Sequence, residues 1–304
     1  QLLSVYSNGY KVFKEDRFLK ELHNIYNFLD SKMTGDNGLI FSSISADTNY
    51  SDGTKSEGDF YVWKADELKS ILKKDFDWVS EYYNINQKGY WEKDNYVFYQ
   101  TVSDAEFASK LGISLAEFEK KLSKVNLSIR KEREKRVHPI IDNKIIFSWN
   151  ALTIRGLVDS YKITKDQKFL TKALAINNSL FKNMINKNII QHTNSSFSSV
   201  LFLEDYSYYI DALIGLYEVT FDQKFLNFAD QLTVFTNEKF KESNGFYRFS
   251  TNQQTLFADS LIDLADGVTP SANSVMNFNL FRLGHYYGNK EYLLQSKEMI
   301  NNIS

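Results

Sequence analysis

The chain has 304 residues, 43% apolar and 24% charged, with a net charge of −2. That length supports a large core and, at roughly 150 residues per domain, about two domains. The composition excludes a disordered chain, and the near-neutral, interleaved charge argues against a general nucleic-acid binder. With no cysteine there is no disulfide, zinc–thiolate site or redox dithiol in this segment, and no run of about 18 apolar residues marks a membrane span.

The chain opens in an apolar helical pattern at Gln1, with no initiating Met, and is read as a piece of a longer protein. Residues 10–29 (YKVFKEDRFLKELHNIYNFL) set a pattern that recurs at 161–180 (YKITKDQKFLTKALAINNSL) and 217–236 (YEVTFDQKFLNFADQLTVFT). A fourth copy, with a turn one residue shorter, starts at Tyr286 (YYGNKEYLLQSKEMINNI). In each, an aromatic ends one helix, a short polar turn follows, and an aromatic–Leu pair opens the next: Phe18-Leu19, Phe169-Leu170, Phe225-Leu226 and Tyr292-Leu293. Such a period marks a repeated helix–turn–helix. Asp166 and Asp222, three residues before the phenylalanines, are N-cap candidates. After the first copy, Asn37-Gly38 predicts a turn before a short strand-like run (NGLIFSS). Asn244-Gly245 repeats it (NGFYRFS), and 188–193 (NIIQHT) is a looser version.

In the long gap between the first two copies, 65–84 and 114–132 are helical by period and supply a further hairpin. Residues 205–219 are apolar on nearly all sides, as in a buried inner helix. Residues 224–240 carry Phe225, Phe228, Ala229, Leu232 and Phe235 on one face, as in an outer helix. The reading is all-α: ten helices in five hairpins, in concentric layers with short strands on one rim. No Pro/Gly-rich linker interrupts the chain, so 1–304 is taken as one domain.

Four segments resemble a known family. They are SADTNYSDGTKSEGDFYVW (45–63), RVHPIIDNKIIFSWNALTI (136–154), LEDYSYYIDALIGLYE (203–218) and DGVTPSANSVMNFNLFRLG (266–284). In order and spacing they are similar to the C-terminal helical region of the thioredoxin-domain-containing, spermatogenesis-associated-like family. The resemblance implies an (α/α)6 toroid of the six-hairpin glycosidase type, shared with N-acylglucosamine and cellobiose 2-epimerases. About five hairpins rather than six imply an incomplete ring. The resemblance also implies a thioredoxin-like domain elsewhere in the full-length chain, absent here, as the working partner. A cytoplasmic location, a sugar as the small-molecule ligand, no cofactor and no metal are the accompanying expectations.

In such a toroid the site is a funnel at the rim where inner helices begin, and the four blocks fall near such starts. Glu57 and Asp59 flank Gly58, ahead of Tyr61 and Trp63. One acid can serve as general acid or base over a sugar-stacking floor, or both are solvated while the rings pack inward. Asp142 and Lys144 precede Trp149 and Asn150; the first two form a catalytic acid and a binding cation, or a loop ion pair. Trp149 can line a pocket, and Asn150 can meet a ligand hydroxyl or cap the helix. Glu204 and Asp205 open the most buried helix. One suits the helix N-terminus, leaving the other to face the funnel, where Tyr206 adds a hydroxyl. Asp266 can point into the funnel beside Ser271 and Asn273, with Ser271 also a reasonable N-cap.

Epimerases of this architecture use two histidines. His23 reads as structural on an outer helix and His285 as a partner of a helix C-terminus. His138 and His192 fall in loops that can reach the rim, and no inner-helix pair is evident. No P-loop, dinucleotide fingerprint, zinc-protease motif or nucleophile elbow is present. Two classes of function remain. One is a carbohydrate-active enzyme, epimerase/isomerase-like or glycosidase-like, with catalytic carboxylates drawn from Glu57, Asp59, Asp142, Glu204, Asp205 and Asp266. The other is a non-catalytic module binding a ligand or protein for the thioredoxin-like domain.

Overall fold

The computed structural model describes residues 1–195, 199–251 and 262–303. In chain order the described helices are α1 (Leu2–Phe13), α2 (Asp16–Lys32), α3 (Ala65–Leu72), α4 (Phe76–Tyr82), α5 (Asp104–Lys110), α6 (Leu115–Arg133), α7 (Phe147–Thr164), α8 (Gln167–Met184), α9 (Leu203–Thr220), α10 (Gln223–Phe240), α11 (Ala272–Tyr287) and α12 (Lys290–Asn301). The strands are β1 (Ser43–Ile44), β2 (Asp47–Asn49), β3 (Lys55–Glu57), β4 (Trp63–Lys64), β5 (Asn95–Tyr96), β6 (Ile141–Asp142), β7 (Ile185–Asn186) and β8 (Ile189–Ile190). The chain divides into two compact units, residues 1–42 with 143 onward, and residues 43–142.

The first unit is the repeat. Its hairpins are α1–α2, α7–α8, α9–α10 and α11–α12, and α1, α7, α9 and α11 pack each on the next as an inner row. The inner α9 buries Leu203, Tyr206, Tyr209, Ile210, Leu213, Ile214 and Leu216, spread around its circumference. The outer α10 buries a stripe of Phe225, Leu226, Ala229, Leu232 and Phe240. Every inner helix ends on a left-handed residue: Lys14, Lys165, Phe221 and Gly288, with φ between 56° and 63°. This turns the chain sharply into the outer helix. Asp166, Asp222 and Asn289 then cap that helix, accepting from the backbone N–H of Lys168, Lys224 and Glu291. In all four repeats the left-handed residue stands four positions before the opening aromatic. The turn of the fourth copy is therefore not shortened; what moves is the aromatic at the helix end, and Gly284 receives the cap hydrogen bond made to Tyr10, Tyr161 and Tyr217 in the others.

Each Asn-Gly turn makes a minimal hairpin after an outer helix. Thr34 bridges Ile40 around Gly38 (φ 79°), and Lys241 bridges Tyr247 around Gly245 (φ 86°). The looser copy forms β7–β8. Charges also tie the inner row together. Asp211 of α9 meets Arg155 of α7 at 3.2 Å and Arg282 of α11. Glu218, two turns on, meets Lys162 of α7 and Arg282 at 3.5 Å.

The second unit leaves and returns at one place, because β1 pairs antiparallel with β6, Ser43 opposite Asp142. Its core sets Trp63, Leu68, Leu72 and Val79 against Val125 and Ile129 of α6, with Tyr82, Phe107 and Phe118 forming a second cluster. Residues 65–84 and 114–132, expected to make a fifth hairpin, are helical as α3–α4 and α6 and belong to this unit. Among the described residues no helix is long and apolar enough to cross a membrane.

Candidate functional site

The starts of α7 and α9 build one polar centre in the first unit. The chain after β8 runs past α7, where Ile146 bridges Thr193 and the Phe147 N–H donates to the His192 carbonyl at 2.9 Å. This sets the His192 ring beside the opening of α9. Its Nδ1 lies 2.9 Å from Asp205 Oδ2 and 3.2 Å from Oδ1. Asp205, only 1% exposed, also accepts the Ser148 backbone N–H at 3.0 Å. The carboxylate thus sits in the first turn of α9 and caps α7, two helix N-termini whose dipoles favour a negative charge. Glu204, the next residue back, is about a quarter exposed and accepts the Ser148 hydroxyl at 3.1 Å, with His192 Nδ1 4.0 Å away.

Electrostatics separate the three groups. Burial pushes the Glu204 carboxyl above its ordinary range, and the neighbouring Asp205 pushes it further. The hydrogen bond to Asp205 holds the His192 ring above the ordinary imidazole value, against the effect of burial. Burial raises the Asp205 carboxyl, while His192 and the Ser148 N–H favour its ionised form. With Nδ1–H given to Asp205, Nε2 is the basic nitrogen of a neutral His192.

Glu204 also borders a cavity of about 190 Å³, shared with Tyr208, Phe249, Asp263, Thr269 and Asn273. That is below the roughly 300–1,000 Å³ of drug-sized ligand sites and matches a single sugar ring. His192, Glu204 and Asp205 are the one group among the described residues whose ligand atoms cluster tightly enough for a metal, within 4.8 Å. A cation there would have to take the Nδ1 position that now donates to Asp205.

Three predicted binding residues turn out to hold the scaffold. The fully buried Asn150 accepts the Ile40 N–H at 2.8 Å and donates to the Ile40 and Ile146 carbonyls, both at 3.0 Å. Asn273 does the same to the next rim hairpin but one, accepting the Tyr247 N–H at 2.8 Å and donating to its carbonyl at 2.9 Å. Tyr206 covers the hairpin between them: its hydroxyl accepts the Ile190 N–H at 3.2 Å and donates to the Asn188 carbonyl at 3.0 Å. The inner helices α7, α9 and α11 thereby each clamp the rim turn of the preceding repeat. These buried polar groups thus spend their donors on backbone carbonyls and accept from backbone N–H groups.

Asp266 accepts the Ser271 N–H at 2.8 Å, and Ser271, 2% exposed, caps α11 and donates to the Asp263 carbonyl. Both shape the turn beside the cavity. Trp149, 45% exposed, stands in the first turn of α7 beside Ser148. The exposed Lys144 gives its carbonyl to the Ser42 N–H.

The remaining predicted residues belong to the second unit. Glu57 is exposed on β3 and pairs with Asp47. Asp142 lies in β6. Asp59 accepts the Tyr50 hydroxyl at 2.9 Å. Trp63 is buried under the Arg136 guanidinium, 3.9 Å from its ring centroid. Arg136 also donates to the carbonyls of Asp59, Phe60 and Val62 and pairs with both oxygens of Glu67 at 2.8 and 2.9 Å. The acid-Gly-acid-aromatic loop is wrapped around this one arginine. Tyr61 is exposed. No motif singles out Tyr208 or Asp263 in the sequence, and His192 is one of two loop histidines there. Only the tertiary pairing with Asp205 marks it out.

Comparison with known proteins starts from relatives covering nearly the whole chain. An uncharacterized protein of Caenorhabditis elegans is 28% identical over 96% of this chain and 44% of its own length. Spermatogenesis-associated protein 20 of Rattus norvegicus is 24% identical over 96% of this chain and 41% of its own length. Over nearly its whole length the chain is similar to spermatogenesis-associated protein 20. It spans about two fifths of the length of the curated relatives it matches. No family model matches it. Among solved structures, a sugar epimerase from a ruminal bacterium is 12% identical with a TM-score of 0.55, covering 99% of this chain and 58% of that one. Cellobiose 2-epimerase from Bacillus thermoamylovorans is 13% identical, also with a TM-score of 0.55, covering 100% and 58%. The chain thus has the all-α toroid class of fold of these two structures. At such identities the likeness carries fold and not chemistry.

Proposed function

We propose that the chain binds one sugar ring in the cavity beside Glu204 and moves a proton on it, as an epimerase or isomerase does. Glu204 is the acid–base group, and His192, held by Asp205, is its partner. The supporting observation is a half-buried carboxyl with a raised pKa that borders a ring-sized cavity and is backed by an oriented imidazole. In an open-chain sugar, one group of the pair takes the proton on the carbon next to the carbonyl. The C–H electron pair moves into the enediol, and the other group gives a proton to the carbonyl oxygen. Reversal at the same or the neighbouring carbon yields the epimer or isomer. A carboxyl that burial and a neighbouring carboxylate make a weaker acid suits the donor role.

Asp263 borders the same cavity and supports a second reading, glycoside hydrolysis by two carboxylates. Asp205 is unsuited to be the second carboxylate, being buried and committed to His192 and Ser148. Proton NMR of the full-length protein in heavy water, with a panel of mono- and disaccharides, tests both. Loss of the C2 proton signal supports proton transfer, and new anomeric signals support hydrolysis. A silent panel with ligand-induced protein shifts would shift the reading to a binding module serving a thioredoxin-like domain.

A further inference from the structure

The second unit has its own cleft, of about 420 Å³, walled by rings and arginines. Phe98 stacks on Tyr83 with centroids 4.5 Å apart and planes at 13°, and Trp63 lies parallel to Phe98 at 6.4 Å and 11°. Tyr61, 43% exposed, stands at the same cleft. Arg130 and Arg133, in the last turn of α6, face this wall, and no carboxylate lines the cleft.

Helix polarity explains basic residues at the end of α6. It does not explain the state of Arg133. Its guanidinium lies 5.4 Å from the Phe60 ring centroid and 5.9 Å from that of Tyr61, and its Nε is buried with no hydrogen-bond partner. Arg136, three residues on, shows how this chain satisfies an arginine it uses for structure, with a bidentate carboxylate and three carbonyls. Arg133 is half-buried, and its Nε has no such acceptor.

We propose that this cleft binds a phosphate monoester of a sugar or nucleoside, the phosphate held by Arg130 and Arg133 and the sugar or base laid against the exposed Tyr61 ring. Guanidinium forks match phosphate oxygens in shape and charge. An aromatic wall accepts either the C–H face of a pyranose or a nucleobase. The site is separate from the Glu204 cavity and does not depend on the proton-transfer reading.

The test is isothermal titration of the full-length protein with glucose 6-phosphate, adenosine monophosphate, glucose and inorganic phosphate. At least one phosphomonoester should bind about tenfold or more tightly than glucose and inorganic phosphate, a gap of about 1.4 kcal/mol. Which of the two binds better tells a sugar phosphate from a nucleotide. Arg133→Ala and the exposed Arg130→Ala should each weaken that binding about tenfold, with the far-ultraviolet spectrum unchanged, and Arg133→Lys should recover part of it. Glu204→Gln should leave it untouched, so failure here and failure at the first unit are distinguishable. Four results overturn the proposal: no binding at millimolar ligand, glucose binding as well as its phosphate, inorganic phosphate binding as well as either ester, or binding indifferent to both alanine variants.

Discussion

Replacing Asn150 by alanine separates a clamp from a ligand contact. The amide accepts the Ile40 N–H and donates to the Ile40 carbonyl, and Ile40 is 7% exposed. Alanine leaves both backbone groups buried without partners, at about 1–3 kcal/mol each, partly offset where water enters. The expected loss is about 3 kcal/mol. At roughly 2–4 °C per kcal/mol for larger domains, the melting temperature of the first unit should fall by about 6–12 °C. Because two units can unfold separately, the readout is amide hydrogen exchange at Ile40 beside urea denaturation. Asn150→Asp should be worse, since it turns an oxygen toward the Ile40 and Ile146 carbonyls. A loss below about 0.5 kcal/mol, with Ile40 still protected, would refute the clamp. Weakened sugar binding at unchanged stability would return Asn150 to the ligand.

Other expectations follow from the same geometry. Glu204→Gln removes the desolvated, titratable carboxyl beside Asp205, so turnover should fall about 10²–10⁴-fold. The melting temperature should hold or rise, by up to about 2 kcal/mol of stability; a marked fall would make Glu204 structural. His192 binds its proton more tightly when folded than at its ordinary 6.5. Its contribution is therefore complete below pH 6.5 and lost as pH rises through the folded value. His192→Gln should flatten that slope in a series of melts, and an unchanged slope would assign it elsewhere. Tyr206→Phe should cost about 1–2 kcal/mol by denaturation, for the hydroxyl that joins Ile190 to Asn188. Phe221 is 76% exposed with φ 56°, so Phe221→Gly should stabilise by about 0.5–1 kcal/mol; any destabilisation would show that the ring contributes more than the strain.

The repeat was readable because its signals are local. Asp166 and Asp222 cap where their spacing from Phe169 and Phe225 puts them, and the Asn-Gly pairs turn where expected. The left-handed Phe221 was not readable, because a bulky side chain at positive φ runs against local preference and is enforced by the helix end. Nor was the break at Ser43 and Asp142: β1 and β6 mark it by pairing, without glycine or proline. Asn150, Asn273 and Tyr206 stood out as polar residues at buried helix starts. Spacing cannot tell whether such a group serves backbone or ligand. Glu204 was visible beside Asp205, but the division of labour between them comes from His192, which reaches Asp205 only through the tertiary fold.

The second unit interrupts the first between α2 and α7, and this has a consequence in time. On a ribosome adding about 5–20 residues per second, α7 emerges on the order of ten seconds after α1, its packing partner. During that interval the α1–α2 hairpin lacks α7, the inner-row helix on which α1 packs. The inserted unit carries its own cores and can mature meanwhile, its paired ends β1 and β6 returning the chain to Lys144, whose carbonyl receives the Ser42 N–H. Synthesis order thus makes the α1–α2 hairpin wait for an inner-row partner far longer than α7–α8 waits for α9, although in the finished molecule it is an ordinary member of the row.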